Sequence, residues 1–424
     1  MAEPRFPLAR IPAEVSAIAE RLKGAGHAVW YVGGAVRDVL VEQARGRAPA
    51  RVGDFDIATS ARPEQVQALF PRTVPVGIEH GTVAVLDRSG AAHEVTTFRR
   101  DVKTDGRHAV VEFGVSLEAD LARRDFTINA VAVEPWTGEL KDPFGGRADL
   151  ARGVLRAVGE AATRFREDRL RVLRGLRFAA ALDLEIEPAT WAAIRASAGE
   201  LDHLSRERVR EEWLKTLATS APSRGIGLWQ RSGVLGAVWP ELRGLSEAAL
   251  PHLDDVGPRD PVLLTAAALH HAAQAAAAAD ATPGGAGAAG AAEAAALRLR
   301  FSNKDAERVA AIVAGLLAPL PEPADARGVR RWLARHRAHA RDVVAASEPA
   351  QRRAALLAAI DAVLAAREPL ALSELAITGE DLIAAGMRPG PAMGEVLRRL
   401  LDEVLDDPAL NTRERLLARA KELV

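Results

Sequence analysis

The sequence predicts an α+β protein, a mixed-sheet head with helices followed by an all-helical remainder. Three observations predict it. Short apolar runs bounded by Gly, Asp and Ser recur through the first third, in AVWYV, DFDIAT, HGTVAVLD and AAHEVTTF. From about Arg152 onward, Ala/Leu/Arg-rich stretches at helical spacing replace them. At 424 residues, 48% of them hydrophobic, the chain also exceeds a single compact core. The expected division is a head over 1–150, a helical neck over 151–220, and a helical body and tail over 221–424.

The elements follow in order. PAEVSAIAERLKGAG has apolar residues at helical spacing, a proline at its start and glycines at its end. AVWYV is a strand that stops at Gly33-Gly34, AVRDVLVEQARG a helix, and DFDIAT the next strand. RPEQVQALF is a short helix whose start Thr59 or Ser60 can cap. HGTVAVLDRSG and AAHEVTTFRR pair antiparallel around a turn at Ser89-Gly90. FRRDVKTDGRHAVVEF reads as a polar, mobile segment, SLEADLARRDFTINA as helical, and VAVEPWTGELKDPF as a hairpin around Thr137-Gly138. In the helical remainder, Pro283, Gly284, Gly285, Gly287 and Gly290 break an alanine-rich tract, which predicts a loop between two helices. There is no clear internal repeat.

Composition narrows the chemistry. Lys+Arg (56) and Asp+Glu (57) nearly cancel, so any nucleic-acid site must be a local basic patch. The absence of cysteine excludes disulfides, thiolate metal sites and thiol catalysis. No run has the apolar length of a signal peptide or a membrane span, so a cytoplasmic protein with no membrane partner is expected.

Asp54 and Asp56 lie one residue apart in a strand and so share a face, where both can reach one cation. Two carboxylates and several waters suit Mg²⁺. Glu94, on a neighbouring strand, can supply a third carboxylate. A solvent-facing edge strand is the competing reading of the pair alone. Just upstream, Gly33 and Gly34 let backbone N–H groups approach a phosphate at a helix N-terminus, with Arg37 in the first turn. In ARRDFTINA, Arg124, Asp125 and Asn129 can hold a nucleotide through phosphate and ribose, or form a salt-bridged surface helix. In TRFREDRLRVLRGLRFAA, Glu167, Arg171 and Arg174 share one helical face, with Asp168 and Arg177 to the sides. Leu170, Leu173 and Leu176 give that helix a core side, so the charged face either looks into a cleft or meets solvent. Asp and Arg side chains present acceptors and forked donors that match base edges.

With these elements in order, the sequence resembles the class II tRNA nucleotidyltransferase and bacterial poly(A) polymerase family, of the polymerase-β-like superfamily. VGGAVRD with DFDIATS resembles its active-site motif, ARRDFTINA its ribose-selecting motif and DPFGGRADL its head-to-neck element. REDRLRVLRGLRFAA is similar to its nucleotide-selecting helix and LSRERVREEWLKTL to the neck helix after it. ITGEDLIAAGMRPGPAMGEVL is similar to a C-terminal element of the same group.

The resemblance implies a polymerase-β-like nucleotidyltransferase head that adds CCA to tRNA 3′ ends from CTP and ATP. It implies Asp54 and Asp56 as Mg²⁺ ligands, with Glu94 as a weaker third carboxylate. Gly33 and Gly34, with Arg37 and Arg124, would meet the triphosphate, and Asp125 with Asn129 the ribose. Glu167, Asp168 and Arg171 would form the amino-acid template, supported by Arg174 and Arg177. The helical body would hold the tRNA acceptor arm, in a monomer or homodimer.

An A-adding enzyme and a bacterial poly(A) polymerase are the alternatives within the family. The stretch VPVGIEHGTVAVL and the lack of a strongly basic tail favour CCA addition, as does a segment between Arg99 and Glu118 similar to the family's flexible lever. Outside the family stand an RNA-binding protein with an inactive head and a phosphohydrolase using His270 or His271. Those histidines lack the following aspartate of a His-Asp metal pair and read as ordinary helix residues.

Overall fold

A computed structural model describes residues 5–47, 54–104, 109–257, 259–280, 286–347 and 350–423. Two compact units divide the chain, Met1–Pro240 and Glu241–Val424.

Among its described residues the first unit has eleven strands: β1 (Val29–Val32), β2 (Asp56–Thr59), β3 (Thr73–Gly77), β4 (Thr82–Leu86), β5 (Ala92–Thr97), β6 (Arg99–Thr104), β7 (Ala109–Phe113), β8 (Ala132–Val133), β9 (Leu140–Lys141), β10 (Val154–Leu155) and β11 (Glu185–Ile186). Seven form one mixed sheet in the order β3-β4-β5-β2-β1-β8-β9. The β2–β5 pair is parallel and its neighbours are antiparallel, with Ile57 opposite Val95 and Tyr31 opposite Ile57. This register sets the start of β2 beside the end of β1, where the glycines lie. The expected β4–β5 hairpin and the β8–β9 hairpin are both present.

The helices of this unit are α1 (Ala13–Gly24), α2 (Gly34–Ala44), α3 (Pro63–Leu69), α4 (Leu117–Ala122), α5 (Gly146–Ala151), α6 (Ala161–Glu167), α7 (Leu170–Ala181), α8 (Pro188–Ser197), α9 (Arg206–Leu217), α10 (Pro222–Arg231) and α11 (Val234–Val238). One apolar cluster joins sheet to helix through Val32, Ala58, Phe98, Leu117, Leu121 and Ala132. A second core holds Trp213 edge-on to Trp229 and tilted against Trp239, all three fully buried. The α5 element packs so tightly that a Cβ on Gly146 would sit 2.2 Å from the Thr127 carbonyl oxygen.

The second unit is helical among its described residues: α12 (Leu250–Asp254), α13 (Pro261–Asp280), α14 (Ala286–Arg298), α15 (Asn303–Leu317), α16 (Ala326–His336), α17 (Ala340–Ala346), α18 (Ala350–Ala365), α19 (Gly379–Ala384), α20 (Pro391–Asp406) and α21 (Arg413–Glu422). Two cores organise it, one around Trp332, Leu333, Val343 and Ile360, the other around Leu382, Leu400, Val404 and Leu416. Among the described residues no helix is long and apolar enough to cross a membrane.

Several local expectations are corrected. Neither Thr59 nor Ser60 caps α3: both are tied to Ala28 across the sheet, and Gln65 reaches back to the Arg62 N–H at 2.8 Å instead. The polar segment after Phe98 forms the β6–β7 hairpin, because AVVEF supplies β-branched and aromatic residues and Arg100 pairs with Glu112 at 2.6 Å. The helix in SLEADLARRDFTINA ends at Ala122; burial of Phe126 and Ile128 draws the following residues into the core. Alanine propensity carries α14 through Gly287 and Gly290, while Pro283, Gly284 and Gly285 lie outside the described residues.

Candidate active site

The charged stretch TRFREDRLRVLRGLRFAA is two helices rather than one. Asp168 leaves helical geometry at φ −149°, and its Oδ1 accepts the Leu170 N–H at 3.0 Å, starting α7 afresh. Its Oδ2 accepts from Arg208 of α9 at 2.8 Å. Glu167, the last residue of α6, accepts from Arg171 Nη1 at 2.7 Å and pairs with Arg164. Arg171 also donates through Nη2 to the Arg123 carbonyl at 2.9 Å. The break turns three hydrogen-bonding side chains toward one space while each is held by its neighbours.

That space is a cavity of about 690 Å³. Gly33, Gly34 and Arg37 line it, as do Asp56, Glu94, Arg124, Asp125, Asn129, Glu167, Asp168, Arg171 and Arg174. Two of the sequence candidates stand apart. Asp54 precedes β2, is exposed and is not among the cavity's lining residues, though its charge helps to raise the pKa of Asp56. Arg177 pairs instead with buried Glu212 of α9 at 2.6 Å and lies 4.2 Å from the Phe178 ring centre. Sequence reasoning missed His80, Thr82, Thr96, Arg99, Arg123 and Arg208, which also line the cavity. Arg123 and Arg208 sit inside motifs already singled out, and their charge was the available signal.

A continuous chain of polar contacts crosses the floor. Arg37 donates to Asp38 at 2.8 and 2.6 Å and to Asn129 Oδ1 at 3.0 Å. Asn129 donates to Asp125 Oδ1 at 2.9 Å, and Arg174 Nε to Asp125 Oδ2 at 2.8 Å. Burial alone would raise the Asp125 pKa, but Arg174 and Asn129 outweigh it and hold the carboxyl below its ordinary range. Asp120, 1% exposed, similarly braces Arg123 at 2.8 Å and Arg124 at 3.4 Å. A buried carboxylate with matched cations fixes guanidinium positions before any ligand arrives.

Asp56 is perturbed in the opposite sense. Burial and the nearby Glu94 charge push its carboxyl up to about 6, with Asp54 adding and Arg124 opposing. Carboxylates crowded without matching cations make a site for a divalent ion. Among the described residues no group of three such ligands converges.

Gly33 is the closest constraint. At φ 85° and ψ −155° it occupies a region open to glycine alone, and a Cβ there would fall 2.0 Å from Asp56 Oδ2. Gly33→Ala is expected to destabilise the protein by about 1–3 kcal/mol and, by displacing Asp56, to cut whatever turnover this cavity supports at least ~tenfold. Chemical denaturation and a turnover assay measure the two effects.

The chain matches family models described as poly A polymerase head domain (residues 29–156), probable RNA and SrmB-binding site of polymerase A (183–245), and tRNA nucleotidyltransferase domain 2, putative (290–420). A CCA-adding enzyme of Streptococcus pyogenes is 46% identical over 240 residues, 56% of each chain. The match thus spans just over half the length of that curated relative. The Bacillus stearothermophilus CCA-adding enzyme, solved in complex with CTP, superposes with a TM-score of 0.77 at 32% identity over 98% of both chains. The Thermotoga maritima CCA-adding enzyme, solved with tRNA, shares the fold at 21% identity and TM-score 0.59, over 98% of this chain and 97% of that one. On the strength of the full-length likeness to the Bacillus protein, this chain belongs to the family of CCA-adding enzymes.

Proposed function

We propose that this protein adds CCA to tRNA 3′ ends in the cytoplasm, using CTP and ATP and releasing pyrophosphate. One observation carries the reading. A single cavity joins a glycine-lined helix start, acidic Asp56 and Glu94, and the Glu167–Asp168–Arg171 cluster. Those are the parts that template-free nucleotide addition needs: a phosphate cradle, a cation site and an edge that reads a base.

At the cradle, Gly33 caps α2 without a side chain, so the first helical N–H groups remain open to a triphosphate. Arg37 and Arg124 add charge-assisted donors there. Asp125 Oδ2 bonds Arg174 and keeps a lone pair for a ribose hydroxyl. Glu167, Asp168 and Arg171 offer acceptors and donors to the Watson–Crick edge of the incoming base, with their geometry preset by Arg164 and Arg208. Asp54 and Asp56, aided by Glu94, would hold Mg²⁺, which when bound neutralises developing charge during phosphoryl transfer. The RNA 3′-hydroxyl would attack the α-phosphorus in line with departing pyrophosphate, and positioning supplies most of the rate. The head, neck, and body with tail expected over 1–150, 151–220 and 221–424 belong to this proposal, with the helical body holding the tRNA by shape and phosphate contacts.

The test offers purified protein tRNAs ending before CCA, after C and after CC, each with CTP or ATP alone. The expected result is C on the first two and one A on the third. Addition of A alone to tRNA ending in CC would indicate an A-adding enzyme, and long A tracts on any RNA a poly(A) polymerase. In the same assay, Arg171→Ala is expected to lower selection of C over U by about 10–100-fold, since each lost bidentate base contact is worth roughly 1–3 kcal/mol.

A further inference from the structure

The cavity wall formed by β4, β5 and the turn before β4 carries His80, Thr82, Glu94 and Thr96. Strand register fixes which way these side chains face. β5 runs parallel to β2 with Val95 beside Ile57, so Glu94 lies alongside Asp56 on one face of the sheet. Thr96, two residues further, shares that face, while Val95 and Thr97 are buried behind it. Thr82 stands directly opposite Thr96, and their hydroxyl oxygens are 3.0 Å apart.

Cross-strand threonine pairs are common simply as sheet contacts. This one lies open to the cavity, with both side chains only half-buried. One O–H is used between the two oxygens. The other remains able to donate, and both oxygens keep lone pairs. Among the described residues of this wall Glu94 is the only carboxylate, and neither Lys nor Arg is present. A neutral pair that both gives and accepts suits an uncharged hydroxyl better than a phosphate or a cation.

Placement says whose hydroxyl it is. The sheet order β4-β5-β2-β1 sets Asp56 between this wall and the glycines that follow β1. Phosphoryl transfer needs attacking and leaving oxygens roughly in line. With the pyrophosphate at Gly33 and Gly34, the acceptor's 3′-hydroxyl would arrive from the β5 side. Its nearest neighbour on the same sugar is the 2′-hydroxyl.

We propose that Thr82 and Thr96 hold the 2′-hydroxyl of the acceptor's terminal ribose, orienting the adjacent 3′-hydroxyl and selecting an RNA end over a DNA end. The assignment rests on the proposed function. It concerns the sugar being extended, not the sugar of the incoming nucleotide, which Asp125 is proposed to meet.

The experiment uses the full chain as wild type, Thr82→Val/Thr96→Val, Thr82→Ser/Thr96→Ser and the single Thr96→Val. Each is given CTP and one of two tRNAs ending after the first C, identical except for ribose or 2′-deoxyribose at that last nucleotide. Valine keeps the shape of threonine, and removing both hydroxyls together leaves neither without its partner. The ratio of kcat/KM for the two ends is taken within each protein, so a partly unfolded sample leaves it unaltered. The wild type is expected to favour the ribose end at least ~fivefold, the effect of losing two neutral hydrogen bonds. The valine pair should bring the ratio close to one, Thr96→Val should lower it at least ~twofold, and the serine pair should preserve it. A wild type indifferent to the sugar, or a preference that survives loss of both hydroxyls, overturns the assignment while CCA addition stands. So does a preference lost equally in the serine pair, which would mark the effect as one of packing. A wild type that extends no tRNA at all overturns the proposed function, and this assignment with it.

Discussion

Asp56→Asn is expected to abolish nucleotide incorporation, by at least about 10³-fold, while making the cation-free protein more stable. The two effects share one cause. The Asp56 carboxylate is held ionised beside Glu94 in a largely buried site, with a pKa near 6 against an ordinary 3.8. That difference corresponds to about 3 kcal/mol of destabilisation. The folded-state pKa lies above the unfolded one, so the cost is absent below about pH 4 and complete above about pH 6. Asparagine keeps the shape and removes the charge. Denaturation in chelator at pH 8 should therefore show the variant ahead by up to about 3 kcal/mol, and the gap should close at pH 4. Activity should move the other way because the carboxylate that strains the fold is the one proposed to hold the cation. Charge neutralisation worth several kcal/mol, at ~1.4 kcal/mol per tenfold, gives the expected loss. A variant less stable than wild type in chelator, or one that still extends tRNA, would contradict the assignment.

Arg174→Ala is expected to be the most damaging single truncation on the nucleotide side of the cavity. Arg174 reaches Asp125 at 2.8 Å, and that carboxylate has a side chain only 8% exposed. Removing the guanidinium strands a buried charge, at a cost of about 3–5 kcal/mol. Contact with Phe178, whose ring centre lies 5.1 Å away, is lost too. Asp125 has its pKa depressed in the fold, so the pair stabilises the protein above the ordinary carboxylate value of 3.8 and loses that effect as pH falls. The difference between wild type and variant should thus shrink in acid. Arg174→Ala/Asp125→Asn should recover roughly half of the lost stability, because the stranded charge is gone. It should not recover nucleotide affinity, since Asp125 is proposed to hold the ribose. Full recovery of both would reduce the pair to a purely structural role.

Much of this was legible in the sequence, for identifiable reasons. The strand before Gly33 and the strand that carries Asp56 announce themselves by β-branched and aromatic runs bounded by Gly or Asp. The helical remainder follows from Ala and Leu at helical spacing. What was hidden depended on distant partners. The break at Asp168 owes as much to Arg208, forty positions on, as to any local breaker. The β6–β7 hairpin looked polar because its pairing is cross-strand, as between Arg100 and Glu112. Arg177 looked like its neighbours on the charged helix, yet Glu212 of α9 draws it aside. Helix ends misled in both directions: buried Phe126 shortened one, and alanine lengthened another through Gly287 and Gly290.

The glycine doublet behind the cradle looks like one signature but sets two unlike limits on how the gene can vary. Every single-base missense change of a glycine codon introduces a Cβ. At position 33 that atom meets the Asp56 carboxylate at 2.0 Å, and replacing Asp56 by its isostere asparagine would not clear the way. At position 34 the nearest atom is Arg37 Nη2, at 3.5 Å, an ordinary contact. In a library of all substitutions, codon 33 should be a dead end with no viable neighbour, whereas codon 34 should admit alanine. The chain can drift one residue downstream of its tightest point, but not at it.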